Sequence, residues 1–139
     1  MSEKRPDSEN DHATRVLLVG LRPEAVDFSD PALPPGFNAE KIHAGIAIAM
    51  TNMEERGWQA DTCLIAPNEM VGPVLKRQLE KARYDCVVIG AGIRLPPKLL
   101  SLLETVINVV RSAAPNAAIA FNTQPEDTAE AAARSLLTK

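Results

Sequence analysis

The chain has 139 residues, 45% of them hydrophobic, which is one domain's worth of sequence and enough to bury roughly two-thirds of its unfolded surface. A net charge of −3 and a pI near 5.4 leave no basic excess to neutralise phosphates, and Phe28, Phe37, Trp58, Tyr84 and Phe121 are too scattered to stack bases, so no nucleic-acid partner is expected. No apolar run approaches the ~18 residues of a membrane span, so no membrane partner is expected either.

The opening "MSEKRPDSENDHAT", residues 1–14, is polar, mixed in charge and without an apolar core. It reads as a disordered leader rather than an export signal, and the expected compartment is cytoplasmic. Residues 15–139 read as one α/β domain. "RVLLVG" (15–20) is a continuous, β-branched-rich run, as expected of a strand buried on both faces. Residues 21–38, "LRPEAVDFSDPALPPGFN", carry four prolines and form one long irregular segment. Such a loop inside a compact domain is either functional or a stiff cover on the sheet.

A first helix is predicted over 39–56, capped by Asn38 and stopped by Gly57. "DTCLIA" (61–66) is a second strand, and a second helix over 69–83 follows, with Asn68 as its cap. "DCVVIG" (85–90) is a third strand. A third helix opens at Pro96–Pro97 and ends before Pro115; "AAIAFN" (117–122) is a weaker fourth strand. The last helix starts after "TQPE", with Thr123 as cap and Glu126 reaching back, and ends near Leu137. Cys63 and Cys86 each sit inside a strand run and read as reduced core residues.

Strands alternating with helices, with no two-residue hairpin between them, predict a single-domain three-layer α/β sandwich. Its sheet is parallel, four-stranded and of order 2-1-3-4, in the Rossmann-like and flavodoxin-like manner. In such a sheet ligands sit beyond the carboxyl ends of the strands at the switch point, here between strands 1 and 3. The segments leaving it are "VGLRPE", with Gly20 and Arg22, and "IGAGIRLPP", with Gly90, Gly92 and Arg94. Two arginines beside glycine-exposed backbone amides predict a cradle for a small phosphorylated or carboxylated ligand. The competing reading is that glycines simply end buried strands and the arginines are solvated. Asn122 and Thr123, and less directly Asn68, lie at strand carboxyl ends and are further candidates for contact.

The chemistry itself stays unnamed. "GAG" lacks a third glycine and follows the third strand, and no acidic residue ends strand 2, so a dinucleotide is not expected. There is no GxxxxGK[ST] and no nucleophile elbow. Glu24 is the carboxylate nearest the crevice, and His43 reads as a packing residue of the first helix. No cofactor is specified and no metal is expected, since one helical histidine and two buried cysteines do not make a zinc site.

The third helix is amphipathic, but the first is apolar nearly all round: Ala44, Ala47 and Ile48 lie off its core stripe. Either residues 21–38 fold over that face or a second subunit does, and a homodimer through Ile48 is expected. "VVIGAGIR", "LLETVINVVRSAAPNAAIAFNTQPEDTAEAAAR" and the opening "VLLVGL" resemble a small family of uncharacterised bacterial proteins. The resemblance spans about half the chain, implies a Rossmann-like fold and assigns no catalytic residue. Three functions stay open: a binding module for a small anionic ligand, an enzyme acting on one, and a dimeric interaction module.

Overall fold

The computed structural model describes residues 13–137. The expected disordered leader lies outside the described residues except for Ala13 and Thr14, and the Thr14 carbonyl accepts a hydrogen bond from the Gln59 amide. Four strands, β1 (Arg15–Leu21), β2 (Gln59–Ile65), β3 (Cys86–Ile89) and β4 (Ala118–Phe121), form one sheet in the order β2-β1-β3-β4. All three pairings are parallel, as predicted, with Val16 opposite Cys86 and Val19 opposite both Cys63 and Ile89.

Among the described residues five α-helices flank the sheet: α1 (Ala39–Glu55), α2 (Val71–Glu80), α3 (Ala91–Arg94), α4 (Leu100–Ala113) and α5 (Thr128–Leu137). Alternate residues of each central strand point to opposite faces, so the core has two halves. Leu17, Val19, Val87 and Ile89 meet Leu75 and Leu79 of α2, Ile93 of α3, and Val106 and Val110 of α4. Val16, Leu18 and Val88 meet Ala49 and Met53 of α1 and the alanines 129, 131 and 132 of α5. Small residues on α5 bring that helix close to the sheet. Cys63 belongs to the first half and Cys86 to the second; both are buried, and the sheet itself separates them.

The ends of α1 are as the sequence predicts. Asn38 Oδ1 accepts from the Lys41 amide at 2.8 Å, and Gly57, at φ +81°, takes the left-handed position after the helix. The Gly57 amide then donates to the Glu54 carbonyl and that of Trp58 to the Met53 carbonyl, closing the helix. Three other boundaries differ. Asn68 does not cap α2: its Oδ1 accepts from the Met70 amide two residues on, forming a turn that delays the helix to Val71. The predicted third helix begins as a 3-10 turn, Pro97–Leu99, and is preceded by the unpredicted single-turn helix α3 directly after Gly90. The box before α5 is shifted by one residue, to Gln124 and Asp127, around a 3-10 turn at Pro125–Asp127. Asp127, rather than Glu126, accepts from the Thr123 and Gln124 amides.

Candidate functional site

The carboxyl ends of β1 and β3 meet at a cavity of about 60 Å³. Its floor is Leu18, Gly20 and Leu21 of β1 with Leu64 of β2, and one wall is the turn Gly90–Gly92. Asn122, Gln124 and Pro125 form the far side, and Ile42 and Ile46 of α1 form the near one. The roof is Val26, Leu33 and Phe37, from the proline-rich segment 22–38. Of the sequence-predicted site residues, Gly20, Gly90, Gly92 and Asn122 come together here. The cavity is mainly apolar, and no titratable side chain lines it.

The three glycines differ in what they do. A Cβ on Gly90 would lie 3.3 Å from the Val19 carbonyl oxygen, so a side chain there would press on the backbone of β1. One on Gly20 would make ordinary contact with Leu64 at 3.8 Å, and one on Gly92 would meet nothing within 4 Å. The amides of the turn are largely engaged inside the protein. Gly90 donates to the Val19 carbonyl at 2.8 Å, Ala91 to Asn122 Oδ1 at 2.9 Å, and Ile93 and Arg94 both to the Gly90 carbonyl. The turn ends a strand and starts a helix; it does not present a row of amides to a phosphate.

Asn122 is 2% exposed and fully used: besides accepting from Ala91, its Nδ2 donates to Thr128 Oγ1 at 3.0 Å. It therefore fastens α3 to α5 across the end of β4. Arg94 does not line the cavity. Its Nη2 donates to the Asn122 carbonyl at 2.9 Å, its guanidinium lies 6.0 Å from the centre of the Phe121 ring, and its Nε is buried without a partner among the described residues. Arg22 is exposed and lines a separate hollow with Asn68, Val71 and Val74, which shares Leu64 with the cavity. The two guanidinium groups thus sit apart, one tied to β4 and the other beside β2. Thr123 is occupied by Asp127, which accepts from its hydroxyl and from its amide at 3.0 Å.

His43 is not a packing residue. It is exposed on α1, where its Nε2 lies 2.8 Å from Glu24 Oε2. That contact, with a smaller backbone contribution, lowers the Glu24 carboxyl below its ordinary value. On the other flank of segment 22–38, Lys98 pairs with Asp27 and lies 3.8 Å from Asp30. The Lys98 ammonium, with Ser29, holds Asp27 down to about 2, and Asp27 in turn raises Lys98.

Sequence reasoning offered residues 21–38 as a cover for the sheet or the first helix but did not place them over the crevice. The signal for a roof was present, since a loop containing Val26, Phe28, Leu33 and Phe37 has apolar surface to bury. Among the described residues no group of three or more His, Cys, Asp or Glu side chains is placed to hold a metal ion, and no helix is long and apolar enough to cross a membrane.

The comparisons with known proteins fit an α/β chain of this layout and go no further. No family model matches the sequence, and no curated protein matches it. Among solved structures the chain is similar to a crystallised fragment from Peptoclostridium difficile 630 described as a "putative lipoprotein", with a TM-score of 0.50 and 12% identity over 90% of this chain and 96% of that one. At that identity the likeness is one of fold.

Proposed function

We propose that this chain is a binding module for a small ligand that carries an apolar part and an acidic group. The apolar part would sit against Gly20, Gly90, Gly92 and Asn122 at the switch point, and the acidic group would reach the mouth beside Arg22. The observation that carries this reading is the cavity itself, which lies at the carboxyl ends of β1 and β3 with apolar walls and a buried asparagine. Its lining favours an aliphatic or aromatic body over a bare phosphate. The anionic group predicted from the sequence is kept for Arg22, which is exposed one side chain away across Leu64. Arg94 and Thr123 enter as residues that position the wall, through their bonds to Asn122 and Asp127. With no titratable group lining the cavity, binding is favoured over acid–base catalysis there.

The compartment that goes with this reading is the cytoplasm. Cys63 and Cys86 are buried, and burial pushes the Cys63 thiol up, as suits a reduced structural residue. A second copy of the chain on the outer face of α1 remains the expected protein partner. Ile48 is 46% exposed there, next to exposed Ala44 and Ala47, while segment 22–38 lies toward Ile42 and Ile46 instead.

The test is a thermal-shift screen of the full chain against aliphatic and aromatic carboxylates, sugar phosphates and inorganic phosphate. A ligand that binds only the native state raises the midpoint. Apolar carboxylates should stabilise, and Arg22→Ala should weaken their effect without changing the unliganded midpoint. Stabilisation by inorganic phosphate alone, or by no member of the panel, contradicts the reading.

A further inference from the structure

We propose that residues 22–38 are a lid on the crevice, closed in this structure, with Val26, Leu33 and Phe37 as its apolar underside and the Lys98 and His43 contacts as its latches. This rests on the reading of the crevice as a ligand site and adds how that site is opened.

Three observations support it. First, backbone hydrogen bonding ties the segment to itself. Among the described residues, the Ala25, Val26, Asp30 and Leu33 amides donate to carbonyls at positions 22, 23, 27 and 30, and the Ser29 and Ala32 amides to the side chains of Asp27 and Asp30. The backbone tie to the sheet is at the root, where the Arg22 amide donates to the Ile65 carbonyl at 2.8 Å. A segment folded on itself in this way is a compact surface loop that can shift as a unit. Lifting it off the crevice breaks side-chain contacts and no ladder hydrogen bond.

Second, the segment divides space that is otherwise continuous. A second cavity of about 220 Å³ lies on its other side, against Pro96, Lys98 and Leu99. Leu21, Val26, Leu33 and Gly92 line both cavities, so Val26 and Leu33 are the partition. The closed crevice alone, at about 60 Å³, is far smaller than the ~300 Å³ at which small-molecule sites begin. With the partition withdrawn, the two spaces join and approach that size.

Third, the segment has stiff and soft places where a lid needs them. Pro31, Pro34 and Pro35 restrict its middle, and Gly36, at φ +83°, provides the joint before α1. Among the described residues, the ion pairs from the lid to the body lie at its two flanks, Asp27 and Asp30 with Lys98 on one side and Glu24 with His43 on the other. The Asp27–Lys98 and Glu24–His43 pairs are solvent-exposed, whereas Asp30 is largely buried and 3.8 Å from Lys98, so the two exposed pairs hold the lid weakly enough to be released.

The experiment reads the crevice wall under the lid. Ile46→Cys places a thiol there, and its alkylation by N-ethylmaleimide is followed by mass spectrometry in the full chain. The native buried Cys63 and Cys86 report any global unfolding in the same sample. Lys98→Ala should raise the labelling rate at position 46 by about two- to fivefold, the range expected from freeing an exposed ion pair, and leave both native cysteines slow. Lys76→Ala, remote on α2, should change nothing. An unchanged rate at position 46 in both Lys98→Ala and the double variant Lys98→Ala/His43→Ala overturns the lid, as does a rise matched by Cys63 and Cys86. Binding of 8-anilinonaphthalene-1-sulfonate, which is apolar and anionic, is measured in parallel. Faster labelling with no gain in its binding keeps the lid and removes the ligand-site reading.

Discussion

Asn122 shows at the residue scale why a candidate site and a structural tie can be the same side chain. It closes one end of the cavity and joins α3 to α5, and both polar ends of its amide are used. Asn122→Ala should leave the Ala91 amide buried without its acceptor and lower stability by about 2–3 kcal/mol in urea unfolding. The arginines divide in the same way. Arg94→Ala removes a charge-assisted bond to the Asn122 carbonyl and should lower stability by about 1–2 kcal/mol, with a smaller loss of ligand affinity than Arg22→Ala. Arg22→Ala is a surface change and should stay within about 0.5 kcal/mol while weakening an acidic ligand. The reverse assignment in unfolding and binding assays contradicts the geometry. Sequence placed both arginines after adjacent strands but could not orient them. Arg94 turns away because α3 carries it toward β4, and that one-turn helix has no signature in "GAGIR" beyond the glycines.

At the scale of elements, the informative places are where pieces meet without hydrogen-bonded ladders. Gly45 of α1 is buried, and a Cβ there would lie 3.1 Å from Pro125 Cβ and 2.9 Å from Glu126 Oε1. A helical glycine changed to alanine usually adds about 1 kcal/mol of stability. Gly45→Ala should add none, because the Pro125 wall of the cavity must give way; a measured gain of the full amount would show that the wall is loose. The lid latch has a pH window. Asp27 and Glu24 are depressed carboxylates, so their contribution is present above their ordinary values of 3.8 and 4.5 and is lost as pH falls toward about 2 for Asp27. Lys98 is raised, so its contribution is present below 10.5 and is lost at higher pH. The difference in melting temperature between the native chain and Lys98→Ala should therefore be flat through neutral pH and shrink on acidification below about pH 4. A difference that persists unchanged there contradicts the pairing. Periodicity and caps made α1 legible almost to the residue. The turn at Asn68 and the shift from Thr123 to Gln124 were not, because Asn and Thr favour caps and turns alike, Gln is not a usual cap, and the choice depends on which amide lies in reach.

For the whole molecule, the alternation of buried runs with helical segments was enough to give strand order and layers, since parallel pairing and right-handed crossovers leave few arrangements. The switch point followed from the order, and with it Gly20, Gly90, Gly92 and Asn122. What covers the switch point did not, because it depends on where a non-periodic, proline-rich segment folds back. Assembly is a separate matter of surface. If a second copy covers α1, the native chain should be dimeric by light scattering at micromolar concentration and Ile48→Glu monomeric; a monomeric native chain excludes that partner. Ligand binding in the crevice beneath the proposed lid can be tested directly at Gly92. Its position tolerates a side chain, with open space around it and no left-handed backbone. Titration calorimetry with 8-anilinonaphthalene-1-sulfonate should show saturable binding to the native chain and at least about tenfold weaker binding to Gly92→Leu, a loss of about 1.4 kcal/mol, at an unchanged melting temperature. Equal affinity in the two proteins, or no binding to either, would contradict the account.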